Sequence, residues 1–234
     1  MNLLRNVRFF LHRPRSLGSL FLQEEPRIDA FDEEWGVQTS GKVRLYSVDT
    51  VGKNDIHGNY SQPIDPGEAV RALKQLPIPP REYTFVDFGS GKGRMLLIAG
   101  QFPFARVVGV EFSPQLVAVS RRNLTASRKP AAAPVEVVCA DAAEWPLPPA
   151  NSVFFFNNPF RPYLLERVLE RIRASVAALP RSVYVLYFGP GIEHVRALFG
   201  DLEVAEHLFL VSGNAATASR TVGQAKRLAA AGNA

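Results

Sequence analysis

Thr84-Phe85-Val86-Asp87-Phe88-Gly89-Ser90-Gly91-Lys92-Gly93-Arg94-Met95 is the stretch on which the fold turns. An apolar, β-prone run ends in an acid, breaks into glycines at alternate positions, and resumes as an apolar helical pattern. A strand, a tight loop and a helix start follow from that order. The glycines let a ligand approach the loop backbone with no side chain in the way. Two phosphate-binding readings fail. A P-loop requires Gly-x-x-x-x-Gly-Lys-[Ser/Thr], whereas Val86 stands at its first glycine and Gly93 at its hydroxyl. A dinucleotide loop requires Gly-x-Gly-x-x-Gly, and Arg94 occupies its third glycine. Asp87 would also face a pyrophosphate, whereas a cationic ligand turns that acid into an asset.

Three later segments repeat the theme of an apolar strand ending in a polar residue. Val107-Val108-Gly109-Val110-Glu111-Phe112-Ser113-Pro114 places an acid about one β-α-β crossover after the loop. Sheets that bind nucleotides put a carboxylate for ribose hydroxyls there. Ser113 and Pro114 then open a helix as cap and first position. Val135-Glu136-Val137-Val138-Cys139-Ala140-Asp141-Ala142-Ala143 ends in Asp141, readable as a ligand contact or equally as a helix cap. Ser152-Val153-Phe154-Phe155-Phe156-Asn157-Asn158-Pro159-Phe160 breaks into two amides, a proline and an aromatic. As a bare turn, that ending would only satisfy local backbone.

On these residues the chain resembles the class I S-adenosylmethionine-dependent methyltransferases, whose first motif is Asp/Glu-x-Gly-x-Gly-x-Gly, here Asp87 to Gly93. The resemblance covers roughly residues 57–225 and implies S-adenosylmethionine as cofactor. It implies cofactor contacts from Asp87, Gly89, Ser90, Gly91 and Gly93 to the methionine part. Glu111 and Phe112 would serve the ribose side, and Asp141 and Ala142 the adenine. Family members acting on exocyclic or side-chain nitrogens carry Asn/Asp-Pro-Pro-Tyr/Phe after the fourth strand. That assigns Asn157, Asn158, Pro159 and Phe160 to the catalytic site, with Asn157 also reaching the cofactor. Asn158 departs from the motif's proline, and a double-Asn version also resembles the non-SET lysine methyltransferases. The acceptor implied is the nitrogen of a protein lysine or a small-molecule amine. The alternatives are a non-catalytic interaction or regulatory protein on the same fold, an RNA base N-methyltransferase, or a nicotinamide-dependent oxidoreductase.

Composition narrows the chemistry. The chain has 234 residues, 47% of them hydrophobic and 21% charged, which suits one α/β domain with a large core. The net charge of +5 is spread along the chain with no basic run interleaved with aromatics. Sequence-specific DNA recognition is not expected. Cys139 is the only cysteine, which excludes an internal disulfide and is consistent with a cytoplasmic location. It also lacks the Pro-Cys setting of pyrimidine C5-methyltransferases. His12, His57, His194 and His207 are scattered singly, so no metal site is expected. No apolar stretch is long enough to span a bilayer.

The expected architecture is a three-layer α/β sandwich. Its mostly parallel seven-stranded sheet has an antiparallel last strand, and an N-terminal extension precedes it. Residues 1–64 read as an arm and lid-like extension, 65–228 as the methyltransferase domain and 229–234 as a frayed tail. Within the extension, 26–64 reads as an irregular lead-in. Asn59, Tyr60 and Gln62 are candidate lid residues, with Tyr60 the one assigned to the cofactor or else a surface-loop anchor. The basic, apolar stretch from Met1 to Arg13 suggests packing on the domain or a homodimer contact, with a membrane surface as the other option. Asp65-Pro66-Gly67-Glu68 starts a helix. Leu165, Val168, Leu169, Ile172, Val176 and Leu179 recur at helical spacing before Pro180. Ser182–Phe188 reads as a fifth strand, Leu202–Val211 as a sixth, and a seventh is expected near Thr217–Gln224.

Overall fold

The structure is a computed structural model that describes residues 28–41, 43, 62–200 and 203–211. Seven strands form one sheet in the order β3-β2-β1-β4-β5-β7-β6. They are β1 (Thr84–Phe88), β2 (Arg106–Glu111), β3 (Val135–Cys139), β4 (Ser152–Asn157), β5 (Val183–Phe188), β6 (Glu203–Ala205) and β7 (Leu208–Val211). β1 pairs in parallel with β2 and β4, and β7 runs antiparallel to both β5 and β6. The strand order reverses at β1, where Asp87 is in register with Gly109 on one side and Phe155 on the other.

Side chains alternate between the sheet faces with period two, and both faces are covered. On one face Phe85, Val107, Val153 and Phe155 pack with Leu73 of α2 (Pro66–Lys74) and Leu96 and Ile98 of α3 (Arg94–Ala99). On the other, Val86, Phe88, Val108, Phe154 and Phe156 meet Val168, Leu169 and Ile172 of α5 (Pro162–Ala178). Val195 and Phe199 of α6 (Ile192–Phe199) join that cluster. Each such side chain contributes about 1.5–3 kcal/mol by leaving water. Burial on both faces explains why the central strands read as nearly continuous apolar runs.

The predicted helix starts are built as expected. Asp65 accepts from the Glu68 N–H, and Ser113 caps α4 (Pro114–Ala126) by accepting from the Leu116 N–H. Three expectations need correction. The lead-in contains a helix, α1 (Ala30–Trp35), capped by Asp29, whose Phe31 and Trp35 enter the same buried cluster as Leu96. The single strand expected over 202–211 is a hairpin, because Glu206 and His207 make a turn with His207 at φ 64°. It supplies both the sixth and the seventh strand, and the region 217–224 lies outside the described residues. Leu179 does not continue the apolar stripe of α5. It follows the last helical residue and is 49% exposed. No helix among the described residues is long and apolar enough to cross a membrane.

Candidate active site at the carboxyl ends of the strands

The turn after β1 is left-handed at each glycine, with φ of 75° at Gly89, 53° at Gly91 and 88° at Gly93. A side chain is disfavoured at such angles. Gly89 is constrained twice, since a Cβ there would come within 2.5 Å of Pro159 Cβ. The loop after β1 therefore packs directly against the Pro159 side chain of the turn after β4. Gly89 N–H and Ser90 N–H donate to the Val110 carbonyl, which ties the loop to β2.

Glu111 completes that tie. It is 3% exposed and accepts from the Gly91 N–H at 2.9 Å and the Ser113 N–H at 3.0 Å. Burial pushes its carboxyl above the usual 4.5, while the N–H groups of Ser113, Gly91 and Phe112 pull it back. Asp87, also 3% exposed, is driven well above 3.8, first by burial and then by the nearby charge of Glu111. No ion pair neutralises either acid among the described residues. Two acids buried side by side favour a bound cation at this rim of the sheet and oppose a bound phosphate there.

These acids border an open cleft at the carboxyl ends of the strands. Gly89, Ser90, Gly91 and Phe112 line it with Asp87 and Glu111, and Asn157, Pro159 and Phe160 line its far side. The loop and the β4 ending thus meet at one cleft. Asn157 Nδ2 donates to the Gln62 carbonyl at 3.1 Å, leaving its Oδ1 as the atom available to an incoming N–H. The Gln62 placement puts the residues before α2 beside the cleft, and Tyr60 lies outside the described residues.

Four assigned residues do not line the cleft. Gly93 sits behind it, against Ser120 of α4. Asp141 accepts from the Ala143 N–H at 2.9 Å, and its carbonyl receives the Trp145 N–H, so it opens a turn. Ala140 N–H donates to the Glu111 carbonyl, keeping the approach to that turn beside β2. Ala142 is buried in the cluster beneath α5. Asn158 does not line the cleft either and has φ 46°, and its N–H donates to the Phe188 carbonyl at 2.8 Å. Proline could supply neither that angle nor that donor, which accounts for the departure from the family motif.

Several lining residues were missed. Thr39, Pro63 and Ile64 come from the lead-in, and Lys92, Arg94 and Met95 from the loop and α3. Arg94 carried a readable signal, because a buried guanidinium directly after the glycine loop requires acids elsewhere in the chain.

A family model described as a methyltransferase domain matches residues 85–178. No curated protein matches the chain. Among solved structures, the chain is similar to the 23S rRNA methyltransferase ErmE, at 19% identity with a TM-score of 0.41 over 59% of this chain. It spans about half (51%) of that protein. An RNA methyltransferase from Salinibacter ruber, in complex with S-adenosyl-L-homocysteine, gives 18% identity and a TM-score of 0.42, covering 65% of this chain and 95% of that one. A phosphoethanolamine N-methyltransferase from Haemonchus contortus gives 16% identity and 0.41, covering 68% and 36%. The segment matched by the methyltransferase-domain model runs from β1 to the end of α5 and so contains the glycine loop, Glu111 and the Asn157 turn.

Proposed function

We propose that this chain binds S-adenosylmethionine in the cleft and transfers its methyl group to nitrogen, on a protein lysine or a small-molecule amine. The observation that carries the reading is the pairing of two buried acids that have no ion-pair partner with an Asn157 amide oriented by its donation to the Gln62 carbonyl. The acids fit a cationic donor, and the remaining amide oxygen fits an acceptor that still bears N–H. When bound, S-adenosylmethionine supplies a methyl on a sulfonium sulfur that keeps the bonding pair on transfer.

The chain's residues have positional tasks. The glycine loop and Asp87 would hold the methionine part, and Glu111 with Phe112 the ribose side. Asp141 and Ala142 would stand at the adenine end, from the turn after β3. Asn157 would accept from the acceptor nitrogen and aim its lone pair into the cleft, while Pro159 and Phe160 wall that nitrogen in. A neutral amine held this way needs no strong base, and orientation supplies most of the rate.

Radiolabelled methyl transfer into fractionated lysate tests the reading, with protein, RNA and small-molecule pools separated. Label in the protein or amine pool is expected. Label in RNA alone would replace the acceptor class, and cofactor binding with no product in any pool would leave a non-catalytic binding protein. Asn157→Ala should lower kcat with cofactor affinity nearly kept, and a full-rate variant would remove Asn157 from the mechanism.

A further inference from the structure

Arg94 is only 6% exposed, and all its described polar partners come from the segment before the domain's first strand. Its Nη2 lies 2.7 Å from Asp29 Oδ2 and 3.4 Å from Asp32 Oδ1, and its Nε donates to Thr39 Oγ1 at 2.7 Å. The guanidinium also covers the Phe31 ring at 4.7 Å. Asp32, 1% exposed, gathers the turn that follows α1. It accepts from the Thr39 N–H at 2.9 Å, the Thr39 hydroxyl at 2.6 Å, the Ser40 N–H at 2.8 Å and the Ser40 hydroxyl at 2.6 Å. From the other side, Asn123 of α4 donates to the carbonyls of both Gln38 and Lys92 and accepts from the Gln38 N–H. Lys92 Nζ donates to the Ser40 carbonyl.

Residues 38–40 are thus fastened to the glycine loop from two directions, and Thr39 is the one that lines the cleft. Its hydroxyl proton is given to Asp32 and one lone pair to Arg94. A second lone pair remains. We propose that Asp32 is a positioning residue for the cofactor, which together with Arg94 sets Thr39 against the glycine loop as a hydrogen-bond acceptor for the ammonium of the methionine part. Ordering such a turn before binding spares the ligand that cost. The inference rests on reading the cleft as the S-adenosylmethionine site.

Calorimetric titration of the full chain with S-adenosylhomocysteine, alongside thermal melts, tests it. Asp32→Asn should weaken binding about 10- to 100-fold, the scale for losing hydrogen bonds to a charged group. Thr39→Val keeps the volume but removes the acceptor and should weaken binding about tenfold, whereas Thr39→Ser should stay within about twofold of the parent. Asp32→Asn and Thr39→Val combined should cost little more than Asp32→Asn alone, because the two act through one contact. A purely structural Asp32 would lower Tm and leave the affinity of the folded protein unchanged, and that result overturns the inference. Should Asp32→Asn not fold, the contrast between Thr39→Val and Thr39→Ser decides alone. If the parent chain fails to bind S-adenosylhomocysteine, the cofactor reading falls and takes this inference with it. If the parent binds and both Thr39 variants bind equally well, only this inference falls.

Discussion

Asp87 has a definite dependence on pH because its carboxyl is raised in the fold by burial and by Glu111. In the unfolded chain an aspartate ionises near its ordinary value, whereas in the fold Asp87 holds its proton to higher pH. Folding therefore takes up a proton in that window, and stability falls as pH rises from about 3.8 toward the raised value, then levels off. A cationic ligand favours the ionised form and expels the proton, so cofactor affinity should climb with pH across the same window. Calorimetry in two buffers of different ionisation enthalpy should count about one proton released on binding at the acid end. Asp87→Asn should bind more weakly and with a shallower slope against pH, the remainder coming from Glu111. A parent protein whose affinity is flat with pH would contradict the assignment of Asp87. Asp32 behaves in the opposite sense. Burial acts to raise it, but hydrogen bonds from Ser40 and Thr39 hold it below 3.8. Its contribution is present above the unfolded value and is lost as pH falls through the folded one.

Elements were readable in the sequence where their signals were local. β1, β2, β4 and α5 announced themselves through apolar period, acid or amide endings, and proline at the first helical turn. α1 did not, because only Phe31 and Trp35 mark its apolar side. Its stability comes from distant partners, among them Arg128 Nη1 donating to the Glu33 carbonyl and the stack of Lys129 on Trp35. The β6–β7 hairpin was hidden for a related reason, since its turn uses Glu206-His207 where a glycine or proline would have shown it. The junction between β4 and α5 carries a prediction of its own. Asn158 stands at φ 46° with its N–H on the Phe188 carbonyl, and Gly189 leaves room for its side chain. Restoring the family's proline by Asn158→Pro should therefore destabilise the protein by about 3 kcal/mol or more. Asn158→Gly accepts the angle and should cost under about 1 kcal/mol. Urea unfolding of the two variants distinguishes them, and equal midpoints would show that the left-handed turn is not what selects asparagine.

At the scale of the molecule, three neighbouring strands of the order β2-β1-β4 deliver Glu111, Asp87 and Asn157 to one rim. That convergence follows from strand-end positions and a parallel sheet, which is why most of the cleft was legible without coordinates. What was not legible is that segments remote in sequence close it: Thr39 before the domain, and Gln62 gripping Asn157. Asp141 shows the converse limit, because an acid at a strand end can equally spend its carboxylate on its own turn. Glu111 spans both kinds of role. It pins Gly91 and Ser113 while facing the cleft, so one side chain couples loop shape to ligand. Glu111→Ala frees two backbone donors and removes a charge-assisted contact, and should weaken cofactor binding by about 1–3 kcal/mol while also lowering Tm. Glu111→Gln retains an acceptor for one of the two N–H groups and should recover part of the Tm but less of the affinity, because the amide carries no charge to offer the ligand. Calorimetry and melting curves on the two variants separate these contributions. Unchanged affinity in Glu111→Ala, with only Tm reduced, would confine Glu111 to holding the loop.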